Sequence, residues 1–297
     1  MSGTCATIAR MRESPLIDAS GLLARIADPA LAVLDCRFEL ADPAAGRRAY
    51  EQGHIPGARF LDLNRDLSAV PDAQSGRHPL PDPLAFAKHL GRLGLDADTR
   101  MILYDQDNGS FAARAWWMLR WIGARRVAVL DGGIAAWLRA GGVLETDPPP
   151  PRPPCRFEPQ VRHDWVAGSG EILACLGQPD RLLLDARAPA RFAGEVEPID
   201  PVAGHVPGAR NHPFSDNLQA DGRFLPQAEL RRRWQELLAG GDPARVINMC
   251  GSGVTACHNL LAMEQAGLPA GRLYAGSWSE WIRDPSRPVE TGPARTR

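Results

Sequence analysis

The chain has 297 residues and a formal net charge of −1; 44% of its residues are hydrophobic and 23% are charged. This balance is typical of a soluble globular protein and excludes a disordered one. The near-zero charge excludes a broad basic surface for nucleic acid or anionic lipid, and no apolar run approaches the roughly 18 residues of a membrane span. The length predicts two domains of about 150 residues each.

The first residues contain no apolar segment of signal-peptide length, which predicts a cytoplasmic protein. Six cysteines are scattered without a C-x-x-C pair, as is typical of reduced thiols in a chain of this size. They are Cys5, Cys36, Cys155, Cys175, Cys250 and Cys257. Lys88 is the only lysine, so an anion site in this chain must use arginine side chains or backbone N–H groups.

An internal repeat runs through the sequence. Residues 53–59 (GHIPGAR) recur as residues 204–210 (GHVPGAR), with six of the seven positions identical. Before each copy, an apolar run ends in a similar polar trio, Asp35-Cys36-Arg37 and Asp185-Ala186-Arg187. After each copy, residues 131–137 (DGGIAAW) correspond to residues 275–281 (AGSWSEW). Three markers in the same order indicate a tandem duplication.

The two halves meet at a proline-rich stretch, residues 148–154 (PPPPRPP), which is unable to form a helix or a central strand. We therefore expect one domain over 14–145, a linker over 146–160 and a second domain over 161–290. Within each half, short apolar runs alternate with helical patterns, which predicts an α/β fold with a parallel sheet flanked by helices. In such sheets, ligands bind beyond the carboxyl ends of the strands. The tryptophans at 116, 117 and 121 have helical spacing and are expected in the core.

A cysteine stands at such a strand end. Cys250 follows an apolar run and precedes a helical pattern in the segment MCGSGVTA, residues 249–256. The glycines let the backbone turn tightly, so that several N–H groups can face one point and favour an anion there. A sulfur at this point is favoured as the nucleophilic thiolate. The predicted backbone contributors are Gly251, Gly253, Val254 and Thr255. The alternative is a buried apolar cysteine, which is also how we interpret Cys257 in the following helix.

The first half has no equivalent thiol. The repeat places Gln106 opposite Cys250. We therefore expect a single nucleophile, in the second half, with the first half providing structure or one wall of the site.

These motifs resemble those of tandem-domain rhodanese-type sulfurtransferases. The resemblance rests on the loop CGSGVTA, the paired GH(I/V)PGA motifs and the terminal GSWSEW, and extends over nearly the whole chain. The loop is most similar to that of the members that use 3-mercaptopyruvate. The resemblance implies two rhodanese-like domains, no cofactor and a reaction in which Cys250 takes a sulfur atom as a persulfide. It then passes the sulfur to a thiol acceptor such as thioredoxin or glutathione, or to cyanide in vitro.

The resemblance also implies site residues. A Ser-His-Asp group is thought to assist the mercaptopyruvate reaction, and the matching positions here are Ser252, His54 and, by a less secure alignment, Asp42. His54 has a repeat mate in His205, so a structural role for both histidines is an alternative. Arg191 matches the arginine that binds the substrate carboxylate, a role suited to a planar guanidinium.

The sulfur donor stays open at this point. Thiosulfate-using relatives typically carry two basic residues directly after the cysteine, where this chain has Gly251 and Ser252. This difference favours mercaptopyruvate. The mercaptopyruvate-using relatives usually have a second arginine nine residues after the one matched by Arg191, and this chain has Asp200 there. An acid at that position resembles the thiosulfate-using enzymes.

Other functions are less compatible with the sequence. A cysteine phosphatase or arsenate reductase needs C-x5-R, and the sixth residue after Cys250 is Ala256. A non-catalytic binding module remains an alternative, above all for the first half. The seven histidines show no metal-ligand spacing and no nucleotide-binding glycine loop is present, so we expect neither a metal nor a nucleotide.

Overall fold

The computed structural model describes residues 14–178, 181–269 and 271–293. The predicted thiol Cys5 lies outside these ranges. Among the described residues, no helix has the length and apolar character needed to cross a membrane.

The first half alternates strands and helices, as the apolar pattern predicts. Its strands are β1 (Leu16–Ile17), β2 (Leu31–Asp35), β3 (Arg59–Phe60), β4 (Arg100–Tyr104) and β5 (Arg126–Leu130). Its helices are α1 (Ala19–Leu23), α2 (Ala45–Gln52), α3 (Pro83–Arg92), α4 (Ser110–Trp121) and α5 (Gly133–Arg139). The strands form one parallel sheet in the order β1-β5-β4-β2-β3.

The second half repeats this order in its described residues. Its strands are β6 (Val166–Ala167), β7 (Leu182–Asp185), β8 (Arg210–Asn211), β9 (Val246–Met249) and β10 (Arg272–Tyr274). Its helices are α6 (Ser169–Ala174), α7 (Pro189–Ala193), α8 (Gln227–Leu238), α9 (Thr255–Gln265) and α10 (Ser277–Trp281). Short 3-10 turns occupy His163–Trp165, Phe214–Asn217 and Pro243–Arg245. The sheet is parallel in the order β6-β10-β9-β7-β8, so the predicted α/β class and duplication are confirmed.

The repeated polar trio makes the same structural clamp in each half. Asp35, at the end of β2, is fully buried and accepts a hydrogen bond of 2.6 Å from Arg37, whose guanidinium also donates to the Gly53 carbonyl. In the second half, Asp185 and Arg187 bond in the same way, at 2.7 Å, and Arg187 reaches the Gly204 carbonyl. The clamp therefore ties the end of a central strand to the start of the GH(I/V)PGA motif.

One hydrophobic core extends through both halves. Helix α4 packs on α9, and the buried side chains around this contact form a single cluster that includes residues of β2, β4, β7 and β10. The tryptophans 116, 117 and 121 of α4 lie in this cluster, at 1%, 1% and 5% exposure, which confirms their prediction as core residues. The packing brings β9 and the α9 N-terminus close to loops of the first half.

The proline-rich stretch contains no helix or strand over 146–162. Backbone bonds hold it against the first half: Cys155 N–H donates to the Gly91 carbonyl and Gln160 N–H to the Ile122 carbonyl. Its role as the linker over 146–160 and the domain limits 14–145 and 161–290 stay predictions.

Candidate active site

The loop after β9 carries the predicted nucleophile. Cys250 lies at the carboxyl end of β9, and its Sγ accepts a hydrogen bond from Gly253 N–H at 3.1 Å. Gly253 has φ +74, and a Cβ there would lie 2.3 Å from the Ala275 carbonyl oxygen, so only glycine fits this turn. Val254 caps α9, and Thr255 is its first residue. The Gly253 N–H and the N-terminus of α9 therefore face the sulfur, and a backbone contribution from Gly251, Val254 and Thr255 stays a prediction.

The second GSWSEW marker braces this loop. Ser277 Oγ accepts from Cys250 N–H at 3.1 Å, while Trp278 N–H donates to the Cys250 carbonyl at 3.0 Å. Ser279 N–H donates to the Gly251 carbonyl at 2.9 Å. These hydrogen bonds from the start of α10 therefore fix the position of Cys250.

A loop of the first half closes the other side of the site. His78 Nδ1 and Ser252 Oγ share a hydrogen bond of 2.8 Å, although the two residues are 174 positions apart. The preceding residue, Arg77, donates its backbone N–H to Ser279 Oγ at 3.0 Å. The site is therefore assembled at the contact between the halves, and the first half supplies one wall of it.

The histidine and aspartate predicted from the resemblance do not join this group, which corrects the expected contact of Ser252 with His54 and Asp42. His54 is fully buried, its Nδ1 bonds the Tyr50 carbonyl at 2.9 Å, and its backbone pairs with Glu145. His205 has the same surroundings in the second half, with Nδ1 on a carbonyl and a backbone bridge to Glu290. The motif histidine therefore fixes a chain corner in both halves.

Asp42 lies on the surface, where its carboxylate pairs with Arg48 and caps Ala44 N–H. The carboxylate is about half exposed. It is therefore satisfied by local partners and has no contact with His78 or Ser252 among the described residues.

The predicted carboxylate-binding arginine does lie at the loop. Arg191, on α7, donates from Nη2 to Glu197 at 2.7 Å and to Asp200 at 3.2 Å. A methyl group added to Gly251 would lie 3.6 Å from both Nη1 and Nη2 of Arg191. The guanidinium thus faces the residue that follows Cys250.

A second arginine of the first half lies behind the loop. Arg114, on α4, is fully buried and donates to the carbonyls of Gly253 (3.2 Å), Leu67 (3.3 Å) and His78 (3.0 Å). Its charge therefore lies next to both the cysteine loop and the histidine segment.

Burial keeps the neighbouring titratable groups neutral. It lowers the pKa of His78 to about 3, helped by the positive charges of Arg114 and Arg77, so the imidazole is uncharged at neutral pH. Burial also raises the pKa of the Cys257 thiol to about 12, so this second cysteine stays protonated. Cys257 instead donates to the Gly253 carbonyl at 3.3 Å, as a packed helix residue does.

Comparison with known proteins decides the family. The profile of the rhodanese-like domain matches residues 18–140 and 170–284. A Pseudomonas aeruginosa protein named "Probable 3-mercaptopyruvate sulfurtransferase" is 54% identical over 284 residues, which are 95% of this chain and 100% of that protein. The chain belongs to the rhodanese family.

A relative with another named donor and a solved structure agree with this assignment. The thiosulfate sulfurtransferase of Cricetulus griseus is 36% identical over 270 residues, 89% of this chain and 88% of that protein. The crystal structure of a 3-mercaptopyruvate sulfotransferase from Escherichia coli has a TM-score of 0.77 and 33% identity, covering 90% of this chain and 100% of that one.

In the first rhodanese domain, a carboxylate of the chain itself occupies the position that corresponds to the anion site of the cysteine loop. In place of a free loop, the buried Asp105 carboxylate accepts from the N–H groups of Gly109 (2.9 Å), Phe111 (2.8 Å) and Ala112 (3.2 Å) at the start of α4. Gln106, opposite Cys250 in the repeat, bonds the Phe38 carbonyl. An external anion therefore has no place there.

The duplication contains a signal that would have found His78. The segment Gly76-Arg77-His78 covers the loop of the second rhodanese domain, and residues 222–224 (GRF) cover the loop of the first. Phe224 stands where His78 stands, with its ring 3.4 Å from a methyl placed on Gly109. His78 is therefore a position at which the two rhodanese domains differ.

We expect the buried histidines to make this rhodanese sensitive to acid. Burial lowers the pKa of His78 and His258 to about 3, and that of His212 as well, whereas in the unfolded chain each titrates near 6.5. Below pH 6.5 these histidines bind protons in the unfolded state but not in the folded state. The free energy of unfolding therefore falls as pH drops from about 6.5 toward 3, by about 1.4 kcal/mol per pH unit for each of His78 and His258.

Urea unfolding at a series of pH values measures this slope. The variant His258→Gln is expected to have a shallower slope than the parent between about pH 6 and 4.5. Equal slopes for the two proteins would contradict the assignment.

Proposed function

We propose that the chain is a 3-mercaptopyruvate sulfurtransferase, which moves a sulfur atom from 3-mercaptopyruvate through a Cys250 persulfide to a thiol acceptor. The observation that carries this is the bond of 2.8 Å between Ser252 and the neutral His78 beside the cysteine loop. A leaving group on carbon needs a proton, and this pair can deliver one. Relatives named for mercaptopyruvate and for thiosulfate both support a sulfurtransferase, and thiosulfate is the alternative donor.

The first half-reaction loads the enzyme. The Cys250 thiolate attacks the donor sulfur, the C–S bond breaks, and its electron pair stays on the donor as the enolate of pyruvate. The proton of the donor thiol passes to C3 of this enolate, carried by Ser252 and the His78 imidazole. The products are pyruvate and a persulfide on Cys250.

The loop stabilises the persulfide. Gly253 N–H already donates to Cys250 Sγ at 3.1 Å, and the N-terminus of α9 points at the same place. Arg191 lies beside the loop, where it can bind the donor carboxylate.

The second half-reaction returns the enzyme to its starting state. An acceptor thiolate attacks the outer sulfur, the S–S bond breaks, and the Cys250 thiolate leaves. Rhodanese relatives imply small sulfur donors and thiol acceptors in general. Thioredoxin or glutathione as the acceptor, and a cytoplasmic location, remain predictions.

The test compares kcat/KM for 3-mercaptopyruvate and thiosulfate, with cyanide as the common acceptor. We expect a strong preference for mercaptopyruvate. A preference for thiosulfate would identify it as the donor, the alternative that Asp200 favours in the sequence. Activity with neither donor would favour a non-catalytic binding module.

The variant His78→Gln separates the proton-transfer role from simple packing. Cleavage of mercaptopyruvate needs a proton on carbon, whereas thiosulfate leaves as sulfite and needs none. We therefore expect His78→Gln to lower kcat for mercaptopyruvate by about 10²-fold and to leave any thiosulfate turnover unchanged.

The matched variant is His54→Gln, which removes the other candidate histidine. The ratio of the two kcat values is the readout, because it does not depend on the folded fraction. We expect this ratio to fall in His78→Gln and to stay at the parent value in His54→Gln. The reverse outcome would restore His54 to the site.

A further inference from the structure

Besides Arg191 and the buried Arg114, a third guanidinium lies at the loop, and it comes from the first half. Arg77 pairs through Nη1 with the buried Asp200, the acid that also accepts from Arg191 at 3.2 Å. Asp200 is therefore shared by two arginines, one from each half. The Arg77 side chain is one-quarter exposed, so it can reach a molecule that enters the site.

The two guanidinium groups converge on one point. A methyl group added to Gly251 would lie 3.1 Å from Arg77 Nη2 and 3.6 Å from both terminal nitrogens of Arg191. Because Gly251 has no side chain, the space next to the Arg77 guanidinium stays open. A larger side chain at position 251 would push the guanidinium away from the loop.

Arg77 still has hydrogen-bonding capacity to offer. Its Nε is buried and has no hydrogen-bond partner among the described residues. A buried donor without a partner is unfavourable and is expected to be satisfied when the site is occupied. The bond to Asp200 and the backbone bond to Ser279 hold the arginine in place before the ligand arrives.

We propose that Arg77 and Arg191 together bind the carboxylate of the 2-oxo acid donor, and that Asp200 positions both arginines. The inference rests on the proposed function, since it concerns the donor of that reaction. It explains why an acid stands at position 200: the second positive charge is supplied across the domain contact, and the acid orients it.

The experiment measures kcat and KM for 3-mercaptopyruvate, and the inhibition constant of pyruvate, in Arg77→Met. Methionine keeps much of the length and removes the charge. We expect KM and the pyruvate inhibition constant to rise together by about 10- to 100-fold, with kcat changed far less. The matched control is Arg223→Met, the repeat counterpart of Arg77, which pairs with Asp221 at the cysteine-free loop and is expected to leave both constants unchanged.

A second variant guards against a purely structural effect. In Arg77→Lys, the positive charge is kept while the planar guanidinium is lost, and we expect KM to lie between the values of Arg77→Met and the parent. Parent-like KM and inhibition constants in Arg77→Met, or a fall in kcat with KM unchanged, would overturn the inference. A parent enzyme that does not use mercaptopyruvate would instead refute the proposed function, so the two failures are distinguishable.

Discussion

Replacing Cys250 by serine is expected to lower sulfur transfer by on the order of 10⁴-fold or more while the fold is retained. The hydroxyl still accepts the Gly253 N–H bond, so the loop keeps its shape. A serine oxygen, however, is a weak nucleophile at neutral pH and does not form a persulfide. Turnover with cyanide as the acceptor measures the loss, and circular dichroism checks the fold.

The matched control is Cys257→Ser. Cys257 is also buried, stands seven residues further on and donates to the Gly253 carbonyl, a bond that a serine hydroxyl can replace. We expect this variant to keep most of the parent activity. Residual turnover in Cys250→Ser equal to that of Cys257→Ser would remove Cys250 from the mechanism.

Replacing Asp35 by alanine is expected to lower the free energy of unfolding by about 3 to 5 kcal/mol, because it leaves a buried guanidinium without its carboxylate. Asp35 is fully buried and accepts from Arg37 and from the Tyr104 hydroxyl, both at 2.6 Å. Its loss frees the end of β2 and the Gly53 corner. The measurement is the urea concentration at the midpoint of the unfolding transition that includes the first half.

Asp42→Ala is the matched control for this change. Asp42 also pairs with an arginine, Arg48, but both side chains are about half exposed, and exposed pairs contribute little. We expect its midpoint to equal that of the parent. If Asp35→Ala and Asp42→Ala had the same midpoint, the clamp would not stabilise the fold.

The fold could be predicted from the sequence because the repeat marks what both halves need. Each half has its own Asp–Arg clamp, at Asp35 and at Asp185, and its own histidine corner, at His54 and at His205. The repeat therefore reveals both features in the sequence. The family resemblance, by contrast, matches His54 to the histidine of the Ser-His-Asp group. A residue present in both halves is expected to serve structure when only one half carries a nucleophile, and the repeat mate His205 is the signal for that role.

The cysteine loop could be predicted because its chemistry is local. Cys250, Ser252 and the glycines are contiguous, and a strand end followed by a helix N-terminus positions them. The partner of Ser252 could not be found in this way. His78 reaches it only because α4 packs on α9 and brings a loop of the first half across the domain contact.

The donor could not be decided from the sequence for a related reason. Position 200 is an aspartate, and comparison of the sequence alone with the mercaptopyruvate-using relatives shows only that their arginine is missing there. In the fold, that acid holds Arg77 from the other half. Charges that act at one point are contributed by segments more than a hundred residues apart.

The most direct test of the Cys250 persulfide is the intact mass of the enzyme after it is mixed with 3-mercaptopyruvate without an acceptor. We predict a gain of one sulfur atom, which peptide mapping places on the peptide that contains Cys250, an equal amount of released pyruvate, and loss of the added mass when a thiol is supplied. Cys250→Ser is expected to gain none. Sulfur on another cysteine, or pyruvate release with no persulfide on Cys250, would contradict the account.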